Sequence, residues 1–245
     1  MHRFQEQCLG RFAGFEPFTL AHLLPVLFFV FTTIFWIRTA RGWDEKMRFR
    51  SAWLFSILLA TSVIWWMFFR IMQGSFDLRE DLPFHLCNIL TLLFPIALYY
   101  RLRWFFGILY FWVLAGTLQA VITPDLKEPF PHFIYFRYWL VHCGLVSLIF
   151  YGIHALRWKV HLRDIKYAII GANVYLVFSL LVNWWTGGNY FFTMRKPDAE
   201  SMLDYLGPWP WYMFTGQLVM LALFALYYAP LWYWEKRRAS VSSKE

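Results

Sequence analysis

His85, Cys87 and Asn88 stand together in the motif LPFHLCNI (82–89), which carries an imidazole, a thiol and a carboxamide into the start of an apolar run. An imidazole titrates near neutrality and can move a proton, a thiol can attack a carbonyl carbon, and a carboxamide can donate to the oxyanion that the attack creates. QAVITPDL (119–126) adds Gln119 and Asp125, FPHFIYF (130–136) adds His132, and Arg137, His142 and Asn189 follow. This set fits acyl transfer or acyl-ester cleavage. Cys87 or an activated hydroxyl would be the nucleophile and His85 or His132 the general base. Asn88, Gln119 or Asn189 would donate to the oxyanion, and Asp125 would orient a histidine.

Spacing constrains these roles. With Pro83 at the first helical position, His85 and Asn88 share one helix face, whereas His85 and Cys87 diverge by about 200°. A His85–Cys87 dyad is therefore disfavoured, and a base for Cys87 is expected from another helix, at His132 or His142. Those two lie about 15 Å apart along one helix, His132 at the interface and His142 near mid-membrane. Plainer roles stand beside the chemical ones. Cys87 also fits a small buried hydrophobe, and His142 an interhelical hydrogen bond. Asp125 also suits a turn after Thr123 and Pro124. Arg137 suits a cation that snorkels to phosphate or pairs with Asp125, and Asn183 and Asn189 suit loop caps.

The elements that must position these residues are seven apolar runs, at 19–36, 52–69, 84–99, 104–122, 133–153, 167–185 and 210–234. A spanning helix needs about 20 mainly apolar residues, and only the third run falls short. The composition is 60% hydrophobic, 23% aromatic and 16% charged, well below the charge of about 25% usual in soluble domains. The expected fold is all-α, a polytopic membrane protein with a bundle of seven transmembrane helices. The expected organisation is a tail at 1–19, the bundle at 20–235 and a basic tail at 236–245, with 237–245 disordered.

The net charge of +8 is distributed as topology. Arg38, Arg41, Lys46, Arg48 and Arg50 follow the first run, and Arg101 and Arg103 the third. Arg157, Lys159, Arg163 and Lys166 follow the fifth, and Lys236, Arg237, Arg238 and Lys244 close the chain. Alternate loops thus hold most of the basic residues, which by the positive-inside rule puts the N-terminus outside and the C-terminus in the cytoplasm. It also argues against nucleic acid as a partner and fits contact with membrane lipids; the acyl-transfer reading adds a phospholipid or acyl lipid as the expected substrate. The polar motifs then share the outward-facing end. Cys8, Cys87 and Cys143 form no CxxC pair, and no glycine-rich phosphate loop or tandem metal motif is present, so no cofactor or metal is expected.

The motifs LPFHLCNI, QAVITPDL, FPHFIYF with the following His142, NY (189–190) and LGPWPWY (206–212) occur in an order that resembles the YwaF-type bacterial integral membrane protein family. The resemblance covers about residues 80 to 215 and implies seven spans in a bacterial cell membrane. A more distantly similar animal transmembrane phospholipid acyltransferase moves a polyunsaturated acyl chain between phospholipids, using a cysteine. That resemblance implies acyl transfer here and matches His85 to the shared histidine. It leaves two positions for the cysteine: Cys87, or the position before His85, where this chain has Phe84.

Two other readings compete. A metal-dependent hydrolase would draw on His85, His132, Asp125 and Cys87, since a catalytic zinc needs three protein ligands plus water. A carrier or receptor for a small ligand would use the same polar helix ends without chemistry, with Pro25, Pro95 and Gly116 permitting bends. Absence of an HExxH pair and of a repeated half ranks both below the lipid-acting enzyme.

Overall fold

A computed structural model describes residues 15–197 and 201–242. These are helical, without a strand among them. The helices are α1 (Leu20–Ala40), α2 (Glu45–Met72), α3 (Leu86–Tyr99), α4 (Arg103–Ile122), α5 (Phe133–His154), α6 (Leu162–Thr186) and α7 (Trp211–Ser242). Six are long and apolar enough to cross a membrane; α3, with 14 residues, is shorter. Most of the amino-terminal tail, Cys8 included, lies outside the described residues. The expectation of a disordered tail from 237 onward is corrected as far as 242, because the backbone continues α7 to Ser242.

Local chemistry sets the ends. Asp44 caps α2 by accepting from the Met47 N–H at 2.6 Å, so the basic stretch after α1 is mostly the first turns of α2 and not a loop. Gly187 closes α6 at φ 72°, a left-handed value suited to glycine. Pro83 does not open α3, because His85 is its N-cap in an extended conformation (φ −72°, ψ 143°).

The helices alternate in direction, and cross-links at each end show it. At the basic end Arg48 donates to the Ala155 carbonyl at 3.1 Å, Arg101 pairs with Glu45 at 3.0 Å, and Trp36 stacks on Tyr151 at 3.8 Å. At the opposite end His22 Nε2 donates to the Val121 carbonyl at 2.8 Å, Arg70 pairs with Asp81 at 3.0 Å, and Trp209 donates to the Thr193 carbonyl at 3.1 Å. Helices α4 and α5 form the middle and bury more than half of their most apolar stretches, while α1 and α7 bury almost none. The outer surfaces of α1, α6 and α7 expose Leu27, Phe31, Val174, Leu181, Leu218 and Leu226, apolar faces that lipid solvates and water does not. The protein is a multi-pass membrane protein.

Candidate functional site

A cavity of about 590 Å³ opens between α3, α4, α5, α6 and α7 at the end opposite the basic loops. Its size falls within the range of about 300–1,000 Å³ typical of ligand sites. Of the residues singled out from sequence, His85, Cys87, Asn88, Gln119, Asp125, Arg137 and His142 line it. Trp112, Leu176, Val219, Met220, Leu223 and Phe224 supply apolar wall.

The entry to α3 explains why His85 and Cys87 share this wall. The Tyr190 hydroxyl donates to the Leu78 carbonyl at 2.8 Å and accepts the Leu82 N–H at 3.0 Å. Tyr175 donates to the Phe84 carbonyl at 2.6 Å. With the Leu82 N–H and the Phe84 carbonyl bonded to distant tyrosines, the chain does not enter the helix before Leu86, and His85 stays extended. The angle of about 200° expected on a regular helix therefore does not apply to His85 and Cys87. Phe84 turns its ring into the aromatic contacts of Phe178 (5.3 Å) and Tyr190 (5.9 Å). The His85 ring is held by Tyr190 (5.1 Å) and Phe192 (5.9 Å) and by no hydrogen bond among the described residues.

His142 is fixed differently. Its Nδ1 lies 2.8 Å from the Tyr138 carbonyl and its ring stacks on Tyr138 at 4.1 Å. A carbonyl only accepts, so Nδ1 carries the proton and a neutral ring leaves Nε2 as the acceptor. Tyr138 is itself anchored by donating to the Ala120 carbonyl at 2.7 Å.

Two expected members do not join the cavity. His132 caps α5, where its Nδ1 accepts the Ile134 N–H at 3.2 Å. Asn189 accepts the N–H groups of Met194 (3.1 Å) and Arg195 (3.0 Å) and donates to the Arg195 carbonyl (2.9 Å). Both side chains serve local backbone, so the convergence of His85, Asp125, His132 and Asn189 is corrected to His85 and Asp125. Gln119 donates to the Tyr227 hydroxyl at 3.3 Å, and Arg137 reaches Asn88 at 3.3 Å in place of the expected Asp125. Among the described residues, no three His, Cys, Asp or Glu side chains gather as a metal site, so the zinc reading lacks its donor set there.

The chain matches the model of the TMEM164 family over residues 15–228. It belongs to that family. A protein of Treponema pallidum (strain Nichols), described only as "Uncharacterized protein", is 29% identical over 147 residues, 59% of this chain. The match spans 60% of that relative's length. No solved structure matches.

Three features of the wall lie outside the sequence motifs. Val113–Thr117 forms a π-helical turn inside α4, a type of irregularity that often marks functional sites. Gly116 there lets α3 approach, since a Cβ would stand 2.9 Å from Leu86 Cδ2. Phe191 and Phe192 line the cavity at φ 59° and 54°, left-handed values that cost roughly 1–2 kcal/mol per residue. Buried Asn183 secures them by donating to the Tyr190 carbonyl (2.8 Å) and to Thr193 Oγ1 (2.7 Å) while accepting the Tyr190 N–H (2.7 Å).

Proposed function

We propose that this is a membrane enzyme that draws an acyl lipid into the cavity and transfers or releases its acyl group. The observation that carries the reading is the presence around one cavity of Cys87, an unbonded His85 and a His142 whose Nδ1–H is committed to a carbonyl. The apolar wall toward α7 suits an acyl chain, and the polar groups suit the ester. The motif likeness to YwaF-type proteins and to an animal acyltransferase points the same way.

In the proposed reaction, the Cys87 sulfur attacks the ester carbonyl as His142 Nε2 takes the thiol proton. The tetrahedral oxyanion receives a hydrogen bond from an uncharged wall donor such as Thr117. The C–O bond breaks, the lysolipid alkoxide takes the proton from the imidazolium, and an acyl thioester remains. A second alcohol then attacks the thioester, giving its proton to Nε2, and the thiolate leaves and is reprotonated; water in that role gives a fatty acid. His85 polarises the ester carbonyl. His132 has no part in this scheme.

The same reading takes α3 together with residues 82–85 as a seventh crossing. It puts the N-terminus outside, by the charge bias, and the cavity mouth toward the outer leaflet of a bacterial cell membrane. Turnover of dioleoylphosphatidylglycerol by purified Cys87→Ala protein tests the nucleophile. Loss of lysolipid production supports the thiol, and unchanged production removes it from the mechanism.

A further inference from the structure

We infer that Arg137 is the seat of an anionic group, a phosphate diester or a carboxylate, on the ligand that occupies the cavity; the inference rests on the lipid reading above and names the head that the lipid carries. Arg137 lies half-buried on the second turn of α5 and lines the cavity. Its Nη2 donates to Asn88 Oδ1, an uncharged acceptor, at 3.3 Å. The guanidinium stands over the Trp66 ring at 5.8 Å, and its Nε is buried with no hydrogen-bond partner.

A guanidinium is always charged and presents its donors in a planar fork that matches carboxylate and phosphate oxygens. Removing such a cation from water is costly unless an anion joins it. Inside the protein no carboxylate hydrogen-bonds to the guanidinium among the described residues. Asp81 is held by the Arg70 Nε, with its two oxygens at 3.1 and 3.0 Å. Asp125 lines the same cavity and has contacts of its own. One further cavity-lining group, Thr117 Oγ1, is also buried without a partner. The cavity thus combines a cation withdrawn from water, a neutral donor without an acceptor and an apolar wall. An amphiphile with one anionic head satisfies all of them; an inorganic anion satisfies the polar part alone.

The test uses purified full-length protein, delipidated in detergent and titrated with dioleoylphosphatidylglycerol, oleate, dioleoylglycerol and inorganic phosphate, with binding read by native mass spectrometry. At least one anionic probe should bind about tenfold or more tightly than dioleoylglycerol, the scale of a hydrogen-bonded charge. Preference for the phosphatidylglycerol identifies a headgroup phosphate, preference for oleate a carboxylate, and preference for inorganic phosphate a free anion. Arg137→Gln should abolish the preference while leaving dioleoylglycerol binding unchanged. Asn88→Asp should do the same by giving the guanidinium an internal carboxylate, and it should raise the melting temperature, so it decides the matter if Arg137→Gln fails to fold. Equal affinity for all four probes, including no binding of any, overturns the inference, as does a preference that survives Asn88→Asp. Anion preference without acyl turnover would sink only the enzymatic reading, and turnover without anion preference only this one.

Discussion

His142 and Tyr138, one turn apart on α5, are joined twice, by Nδ1 against carbonyl at 2.8 Å and by stacked rings at 4.1 Å. This pairing gives an otherwise ordinary mid-helix histidine a defined tautomer and an orientation. On the proposed reading it moves the choice of general base from the surface to the interior of the bundle.

His142→Ala should therefore lower acyl turnover by about 10²–10⁴-fold, the usual contribution of a general base. His132→Ala should leave turnover within about twofold and cost on the order of 1 kcal/mol of stability, as loss of a helix cap does. Parallel rate and melting measurements separate the two. The reverse pattern would return the base to His132.

Tyr190→Phe should lower stability by about 1–3 kcal/mol, because the Leu82 N–H and Leu78 carbonyl lose their partner. The fall in melting temperature should be accompanied by weaker turnover, since the same hydroxyl holds the segment that carries His85. Wild-type stability with lost turnover would show instead that the hydroxyl acts in the chemistry.

Burial pushes the Tyr190 phenol up to about 12, with Asp81, Asp77 and Glu80 adding to the shift and the Leu82 hydrogen bond opposing it. The unfolded phenol titrates near 10, so between about pH 10 and 12 the folded chain holds the extra proton. The contribution is complete below about pH 10 and is lost as pH rises through 12. Alkaline melting curves should show a shallower slope in Tyr190→Phe than in the wild type; identical slopes would contradict this.

Much of the fold was legible because bilayer-length apolar runs leave little choice of secondary structure, and the observed helices follow those runs closely. The start of α3 was not. Pro83 suggested a helix start, yet Tyr175 and Tyr190, about a hundred residues away, hold the preceding backbone out of the helix. That long-range effect also brought His85 and Cys87 to one wall. Asn189 and His132 looked like site residues because sequence cannot tell a side chain facing a cavity from one capping its own backbone. The unpartnered Thr117 was hidden too, since the π-turn that presents it leaves no mark in composition.

Gly188→Ala offers a packing test of the loop over the cavity. A Cβ there would stand 2.6 Å from the Arg79 carbonyl oxygen, and backbone cannot yield as a side chain does. A loss of about 1–3 kcal/mol is expected. Gly116→Ala, which meets only the end of the Leu86 side chain, should cost less. Equal melting temperatures for the two variants would contradict this.

The most direct measurement of the central claim is acyl exchange in nanodiscs. Purified protein would be embedded with isotope-labelled dioleoylphosphatidylglycerol and an unlabelled lysophospholipid, and the products followed by mass spectrometry. The expected result is label passing into the acceptor lipid, or appearing as free fatty acid, with wild type and not with His142→Gln at matched folding. Folded wild-type protein that leaves every acyl chain on its original lipid would contradict the account.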